Sequence, residues 1–137
     1  HVTGVQTCAL PILALSATLL HYLRDEAERE IPVWRMISTP LAELERRALR
    51  WQEELSAGEV VLGASTVGGG SLPGETLPTY LLALSLSSPN HTLERLRRQN
   101  PPVIARTQAD KVLIDPRTVL PEQDEALLTA LRLILKH

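Results

Sequence analysis

Apolar residues recur at helical spacing in several parts of the chain. Residues 13–29 contain good helix formers without glycine or proline and predict one helix, which Pro32 should follow as a break. A second predicted helix has apolar residues at intervals of three and four: Leu41, Leu44, Ala48, Trp51 and Leu55. We expect it to begin with Thr39 as N-cap and Pro40 at the first helical position, and to end at Gly58. Residues 92–99 and the stretch after Pro121 predict two further helices, with Leu93, Leu96, Leu127, Ala130, Leu131 and Ile134 inward.

Strand-like stretches lie between the predicted helices. Residues 59–67 and 77–86 predict two strands, and apolar residues on both faces of the second favour a central, doubly covered position. Residues 103–107 and 111–115 flank Gln108-Ala109-Asp110 and predict a hairpin. Residues 31–37 read as a short, apolar, extended connector. The order helix, strand, strand, helix, hairpin, helix predicts an α+β fold: a mostly antiparallel sheet with helices on one face.

Arginines concentrate on two of these helices. On the second helix they alternate with glutamates, so we interpret them as a solvated face with pairs such as Glu43–Arg47 and Arg50–Glu54, the alternative being a nucleic-acid patch. Three more arginines make the short helix near residue 95 basic: Arg95, Arg97 and Arg98. We interpret that helix as half-buried scaffolding with a wet basic face.

Composition narrows the class of protein. The 137 residues are 44% hydrophobic and contain no Phe, which suits an aliphatic core and one domain, or one domain plus part of another. A net charge of −2 implies no global attraction to nucleic acid or to an anionic membrane, although a local basic patch remains allowed. Cys8 is the only cysteine, which is compatible with a reducing cytoplasm and leaves no internal disulfide.

The first twelve residues do not resemble the rest of a domain. They look like a translated sequencing adapter fused to a gene fragment, and the chain does not begin with Met, so we expect a fragment with non-native residues 1–12. The alternative is a secretory signal, but no Lys or Arg precedes the apolar stretch. That stretch is also too short to cross a bilayer as a helix, so no membrane association is expected.

Catalytic constellations are sparse. The four histidines are scattered without metal-ligand spacing. The glycine-rich stretch 68–74 is neither a dinucleotide fingerprint nor a P-loop, and it reads as a turn between two buried strands or as a ligand-contacting loop. Lys111 at the hairpin and Lys136 near the end are poor candidates for a Schiff-base lysine, which needs a desolvated pocket. No catalytic residue is therefore assigned.

Arg106 and Arg117 are the polar residues that call for an explanation. Arg106 lies in a predicted strand between apolar residues, where an unpaired charge would be costly. It either pairs with Asp115 or Glu75 for structure, or presents its guanidinium to a carboxylate or phosphate from a neighbouring domain. Arg106 is therefore the candidate substrate-binding residue.

The stretch Val-Gly-Gly-Gly-Ser-Leu-Pro-Gly-Glu-Thr-Leu-Pro-Thr at residues 67–79 resembles the signature loop of the bacterial L-seryl-tRNA(Sec) selenium transferases, or selenocysteine synthases. Five other stretches resemble parts of that family. Two would leave its large domain: residues 14–23 and Ile-Pro-Val-Trp-Arg-Met-Ile at 31–37. Three resemble its C-terminal end: Leu-Glu-Arg-Leu-Arg-Arg at 93–98, Pro-Pro-Val-Ile-Ala-Arg at 101–106 and Val-Leu-Ile-Asp-Pro-Arg-Thr-Val-Leu-Pro-Glu-Gln-Asp at 112–124. Ala105, where the family more often has glycine, and Pro116 are mild departures.

The resemblance implies a cytoplasmic, homo-oligomeric pyridoxal phosphate enzyme of the aspartate-aminotransferase fold type (fold type I). It would convert seryl-tRNA(Sec) to selenocysteyl-tRNA(Sec) with selenophosphate. By the same resemblance, residues 13–37 would end the large cofactor-binding domain and 38–137 would be the small C-terminal α+β domain. The cofactor lysine would lie upstream, so the fragment is expected to be inactive alone and to bind no cofactor. The alternative is a stand-alone α+β binding or regulatory module.

Overall fold

Backbone contacts divide the chain into two units, residues 1–38 and 39–137. A computed structural model describes residues 3–68 and 74–136, with side chains from residue 10 onward. The first unit contains three helices: α1 (Thr3–Leu23), α2 (Ala27–Glu30) and α3 (Pro32–Ser38). Ten of its large apolar side chains are exposed: Leu10, Ile12, Leu13, Leu15, Leu19, Leu20, Tyr22, Leu23, Val33 and Trp34.

Residues 32–37 lie in helix α3, so the prediction of an extended connector over 31–37 is wrong. Ile31 does adopt an extended conformation (φ −87°, ψ 119°), as expected for a residue before proline. The chain re-enters a helix at Pro32, because proline at the first helical position needs no N–H donor. The single helix predicted over 13–29 is likewise interrupted, since α1 ends at Leu23 and Asp25 takes a positive φ of 56° before α2 begins.

The second unit is built on a four-stranded antiparallel sheet in the order β1-β2-β4-β3. The strands are β1 (Glu59–Thr66), β2 (Thr76–Ser85), β3 (Arg106–Gln108) and β4 (Lys111–Ile114). Helix α4 (Leu41–Leu55) precedes the sheet, α5 (Pro89–Arg97) follows β2, and α6 (Asp124–Leu135) ends the unit. Two 3₁₀ turns, Pro116–Thr118 and Pro121–Gln123, connect β4 to α6.

All three helices of this unit pack on one face of the sheet. Their inward side chains share a core with alternate residues of β2 and β4: Trp51, Leu82, Leu84, Leu93, Leu96, Val112, Ile114, Leu127, Leu128, Leu131 and Ile134. A smaller cluster on the other face joins Leu81, Ala83 and Leu113, with Val61 beside it. The central position of β2 and the α+β architecture with an antiparallel sheet and helices on one face are therefore confirmed.

Element boundaries shift slightly from the predictions. Helix α4 starts at Leu41 with Pro40, not Thr39, at the cap position. It ends at Leu55 because Ser56 turns left-handed (φ 50°), two residues before the predicted stop at Gly58. The predicted hairpin is present, and Ala109 and Asp110 both have positive φ, which is the geometry of a two-residue turn matched to strand twist.

Arg47 corrects the interpretation of the α4 arginines as a uniformly solvated face. Its side chain is 7% exposed and forms an ion pair with Asp124, which is 5% exposed. The guanidinium also donates to the carbonyls of Pro116 (2.8 Å) and Val119 (2.9 Å) and lies 5.3 Å from the Trp51 ring centre. Glu43 pairs with Arg46 instead, whereas the predicted Arg50–Glu54 pair is present at 2.7 Å.

Candidate functional site

The two ends of the glycine-rich loop lie side by side at one end of the sheet. Strands β1 and β2 are paired up to Thr66 and Thr76, and the Val67 N–H donates to the Glu75 carbonyl at 3.4 Å. Gly68 (φ 138°) and Gly74 (φ 84°) adopt backbone angles that favour glycine. Residues 69–73 lie outside the described residues, so the role of the loop stays a prediction.

Asp115 accepts hydrogen bonds from both of the strands that flank this loop. Its carboxylate accepts from the Ser65 hydroxyl (2.5 Å) at the end of β1, from Thr79 (2.8 Å) at the start of β2, and from the Arg117 backbone N–H (2.9 Å). Ser65 and Thr79 are both buried. Buried hydroxyls need partners, and a single carboxylate satisfies both here. The Ser65–Asp115 contact is therefore structural, since the same carboxylate also accepts from Thr79 and from the Arg117 backbone N–H.

Arg117 binds backbone carbonyls in the same region. Its guanidinium donates to the Pro78 carbonyl at 2.7 Å and to the Thr39 carbonyl at 3.2 Å. Burial lowers the pKa of Arg117, and the neighbouring Asp115 carboxylate acts in the opposite direction. A buried guanidinium that donates to backbone carbonyls holds the entry to α4 and the start of β2 in place.

Arg106 lies close to the base of the glycine loop. It begins β3 opposite Leu113, is exposed, and reaches across the sheet to donate to the Ala64 carbonyl at 2.9 Å. The expected ion pair with Asp115 or Glu75 is not among the contacts of the described residues: Arg106 donates to a backbone carbonyl instead, and Asp115 accepts from two hydroxyls and a backbone N–H. A guanidinium has five N–H donors, so most of those on Arg106 remain available to an anion.

A cleft of about 420 Å³ opens beside Arg106. Its polar lining includes Ser65, Asp115, Thr118 and Gln123, and its apolar walls come from Val103, Ala105, Val119 and Leu127. The segment 101–105, which precedes β3, forms one wall. Apolar walls with one exposed cation at the rim suit a ligand that has a small apolar part and a negatively charged group.

Neither of the two lysines lies in a desolvated pocket. The Lys111 ammonium pairs with Glu59 on the sheet and is 38% exposed, and Lys136 is exposed at the end of α6. Neither lines the cleft beside Arg106. Within residues 3–136, apart from the undescribed loop, no group of three or more His, Cys, Asp or Glu side chains is placed to hold a metal. No described helix is long and apolar enough to cross a membrane.

Comparison with known proteins assigns the family. A family model described as L-seryl-tRNA selenium transferase matches residues 5–120. The chain belongs to the L-seryl-tRNA selenium transferase family. This confirms the resemblance that the glycine-loop signature indicated. The match begins inside residues 1–12, whose non-native origin stays a prediction.

Curated relatives within the L-seryl-tRNA selenium transferase family agree. The L-seryl-tRNA(Sec) selenium transferase of Clostridium perfringens is 39% identical over 130 residues, covering 88% of this chain and 28% of the relative. Those of Solidesulfovibrio magneticus and Geobacter sulfurreducens are each 38% identical, over 89% and 90% of this chain. The chain thus spans a little over a quarter of the length of the relatives it matches.

Two polar groupings were missed from the sequence. Arg47 lies three residues after Leu44 and four before Trp51, so its helical position already placed it at the edge of the apolar stripe. Asp115 precedes a proline, a pattern typical of turns in which the carboxylate accepts a backbone N–H two residues on. Its contacts with Ser65 and Thr79 depend on strand pairing and carried no local signal.

Proposed function

We propose that this chain is the C-terminal part of an L-seryl-tRNA(Sec) selenium transferase. The whole enzyme would convert seryl-tRNA(Sec) to selenocysteyl-tRNA(Sec) with selenophosphate, using pyridoxal phosphate. The family match over residues 5–120 carries this proposal. In this reading, residues 13–37 end the large domain of a fold-type-I enzyme and residues 38–137 form its small domain.

The exposed apolar surface of the first unit supports a missing neighbour. Leu13, Leu15 and Leu23 on α1 are each more than 60% exposed, and Val33 on α3 is 52% exposed. Large apolar side chains exposed in this number within one unit indicate that another segment covers them. The covering segment that we propose belongs to the part of the longer relatives that this chain does not span.

Cofactor attachment is proposed to lie outside this chain. Lys111 is held by Glu59, and Lys136 is solvent-exposed, so neither has the surroundings that activate a Schiff-base lysine. We expect the purified chain, mixed with pyridoxal phosphate and borohydride, to gain no stoichiometric lysine adduct by mass spectrometry. An adduct at one lysine, lost in its Lys→Arg variant, would contradict the assignment of an inactive fragment.

Arg106 is proposed to bind the substrate. Its exposed guanidinium, with donors to spare at the rim of the 420 Å³ cleft, supports this role. A chimera tests it: residues 13–137 replace the matching C-terminal segment of the Clostridium perfringens relative. We expect the chimera to form selenocysteyl-tRNA(Sec) and the chain alone to form none. Arg106→Gln should lower kcat/KM by about tenfold or more, as for loss of a charge-assisted hydrogen bond of about 1.5–3 kcal/mol.

The matched control for Arg106 is Arg46→Gln. Arg46 is exposed like Arg106, but it pairs with Glu43 on α4, away from the cleft. Equal activity losses in the two variants, or full activity of Arg106→Gln, would rule out a substrate-binding role.

Light scattering of the chimera tests a further expectation, that the enzyme is a homo-oligomer. A cytoplasmic location follows from the same proposal and would be checked by fractionation.

A stand-alone binding or regulatory module is the second candidate. The observation that favours it is the separate core of residues 39–137, which forms a unit by itself. This candidate expects a monodisperse, soluble and folded domain that starts near Ser38. The fragment proposal instead expects aggregation of the full chain at high protein concentration, or its rescue by the upstream part of the relative.

A further inference from the structure

The C-terminal end of α5 carries three arginines that we call the α5 arginine cluster: Arg95, Arg97 and Arg98. Arg97 is the last residue of the helix and Arg98 its C-cap, and both are exposed, while Arg95 is half-buried. Among the residues that the structure describes, no carboxylate forms an ion pair with any of the three. Their charge is therefore uncompensated.

Arginines elsewhere on the surface differ in this respect. Five of them lie beside a glutamate: Arg24, Arg29, Arg46, Arg50 and Arg132. The nearest acid in sequence to the cluster is Glu94 on the same helix, so residues 89–98 carry three positive charges and one negative charge, in a chain of net charge −2. Glu125, on the neighbouring helix α6, is already paired with Arg50.

Helix stability does not account for this arrangement. One cation in the last turn is favourable because it opposes the negative end of the helix dipole. Three guanidiniums within four residues repel one another, and like charges one turn apart on a helix are destabilising. The buried face of α5 consists of Thr92, Leu93 and Leu96, and the exposed Arg97 and Arg98 lie outside it.

The chemistry of the cluster points to phosphate groups. Guanidinium groups bind phosphate oxygens with two parallel hydrogen bonds. A membrane surface fits poorly, because α5 has no exposed large apolar side chain to insert between lipids. We propose that the α5 arginine cluster binds the phosphate backbone of the tRNA substrate. This inference rests on the proposed function, which supplies a tRNA as partner.

Salt-dependent binding tests the proposal. The probe is a fluorescent tRNA(Sec) transcript, titrated with the full chain by anisotropy at several KCl concentrations. Each phosphate contact contributes about 0.7–0.9 to the slope of log Kd against log salt. The triple variant Arg95→Gln, Arg97→Gln, Arg98→Gln should lower that slope by about 2 and weaken binding at ~0.1 M salt by about tenfold or more.

A charge-matched triple variant is the control: Arg24→Gln, Arg46→Gln and Arg132→Gln. It removes the same number of positive charges from paired surface positions. We expect its slope and affinity to remain close to those of the wild-type chain. Absence of tRNA binding by the wild-type chain, or equal losses in the two triple variants, would overturn the inference.

The result can be separated from the test of the proposed function. The chimera assay measures selenocysteyl-tRNA(Sec) formation, whereas the anisotropy measurement requires no catalysis and no upstream segment. An active chimera with an unchanged salt slope in the cluster variant removes the inference and leaves the proposed function standing. An inactive chimera, together with tRNA binding that depends on the α5 arginine cluster, would remove the proposed function and leave the binding of tRNA by the cluster standing.

Discussion

Replacement of Asp124 by Asn should destabilise the second unit strongly. Asp124 begins α6, and its carboxylate meets the buried guanidinium of Arg47 on α4. The variant keeps the size of the side chain and removes its charge. Arg47 would then remain buried without a counterion, which costs about 3–5 kcal/mol. That loss is a large part of the ~5–15 kcal/mol that stabilises a typical domain.

The assay is urea unfolding of the full chain followed by circular dichroism. The free energy of unfolding of Asp124→Asn should fall by about 3–5 kcal/mol. Arg47→Met should cost a similar amount, because it also leaves the carbonyls of Pro116 and Val119 without their donors. The double replacement Arg47→Met and Asp124→Asn removes both charges and should cost less than the two single losses together, by about 2–3 kcal/mol.

Arg46→Met is the matched control, since Arg46 adjoins Arg47 on α4 but pairs with Glu43 at the surface. Exposed pairs contribute about 0–1 kcal/mol, so its unfolding should barely change. A loss below about 1 kcal/mol in Asp124→Asn, or strict additivity in the double variant, would refute a coupled buried pair. Either result would mean that Arg47 behaves as a solvated residue, as the sequence predicted.

Three further results are expected. Gly58→Ala should destabilise the protein more than Gly74→Ala, by about 1–3 kcal/mol in urea unfolding. Both glycines have positive φ, but a β-carbon at Gly58 would lie 2.8 Å from a leucine methyl group and 2.9 Å from a backbone oxygen. At Gly74, no atom would lie within 4 Å of the added β-carbon. Equal losses would mean that backbone strain alone acts. The charge of Glu45 raises the pKa of the Tyr80 phenol above its ordinary value, so the folded state favours the protonated phenol. The stabilisation from this shift is present below about pH 10 and is lost as the pH rises through the folded pKa. Absorbance at about 295 nm, with the other tyrosine replaced by Phe, should show that Glu45→Gln lowers this pKa, and an unchanged titration would contradict the cause. A truncated chain of residues 39–137 should unfold in one cooperative urea transition, because its core lies within that unit; a non-cooperative transition would show that it depends on other segments.

Local patterns predicted the elements of the second unit well. The three-and-four spacing of α4, the continuous apolar run of β2 and the inward leucines of α5 and α6 all reappear in the structure. Each of these signals depends on a periodicity that the backbone imposes on neighbouring residues. Pro32 was misread, because proline is compatible with both the end of one helix and the first position of the next.

The candidate site was less accessible to prediction. Arg106 was singled out because an arginine among apolar residues needs a partner, yet that partner is the Ala64 carbonyl. The contact joins β3 to β1, two strands that are not neighbours in the sheet. A pairing of that kind has no local signal, since it depends on the strand order and on which donors Asp115 has already accepted.

The sequence by itself determined the helices and strands of the second unit, the central place of β2 and, through the glycine-loop signature, the family. These follow from residue spacing and from a run of residue types, which are properties of the chain alone. Only the tertiary structure decided which charges are buried. Arg47 with Asp124, and Asp115 with Ser65 and Thr79, come from positions far apart in the chain and meet because the sheet and the helices bring them together.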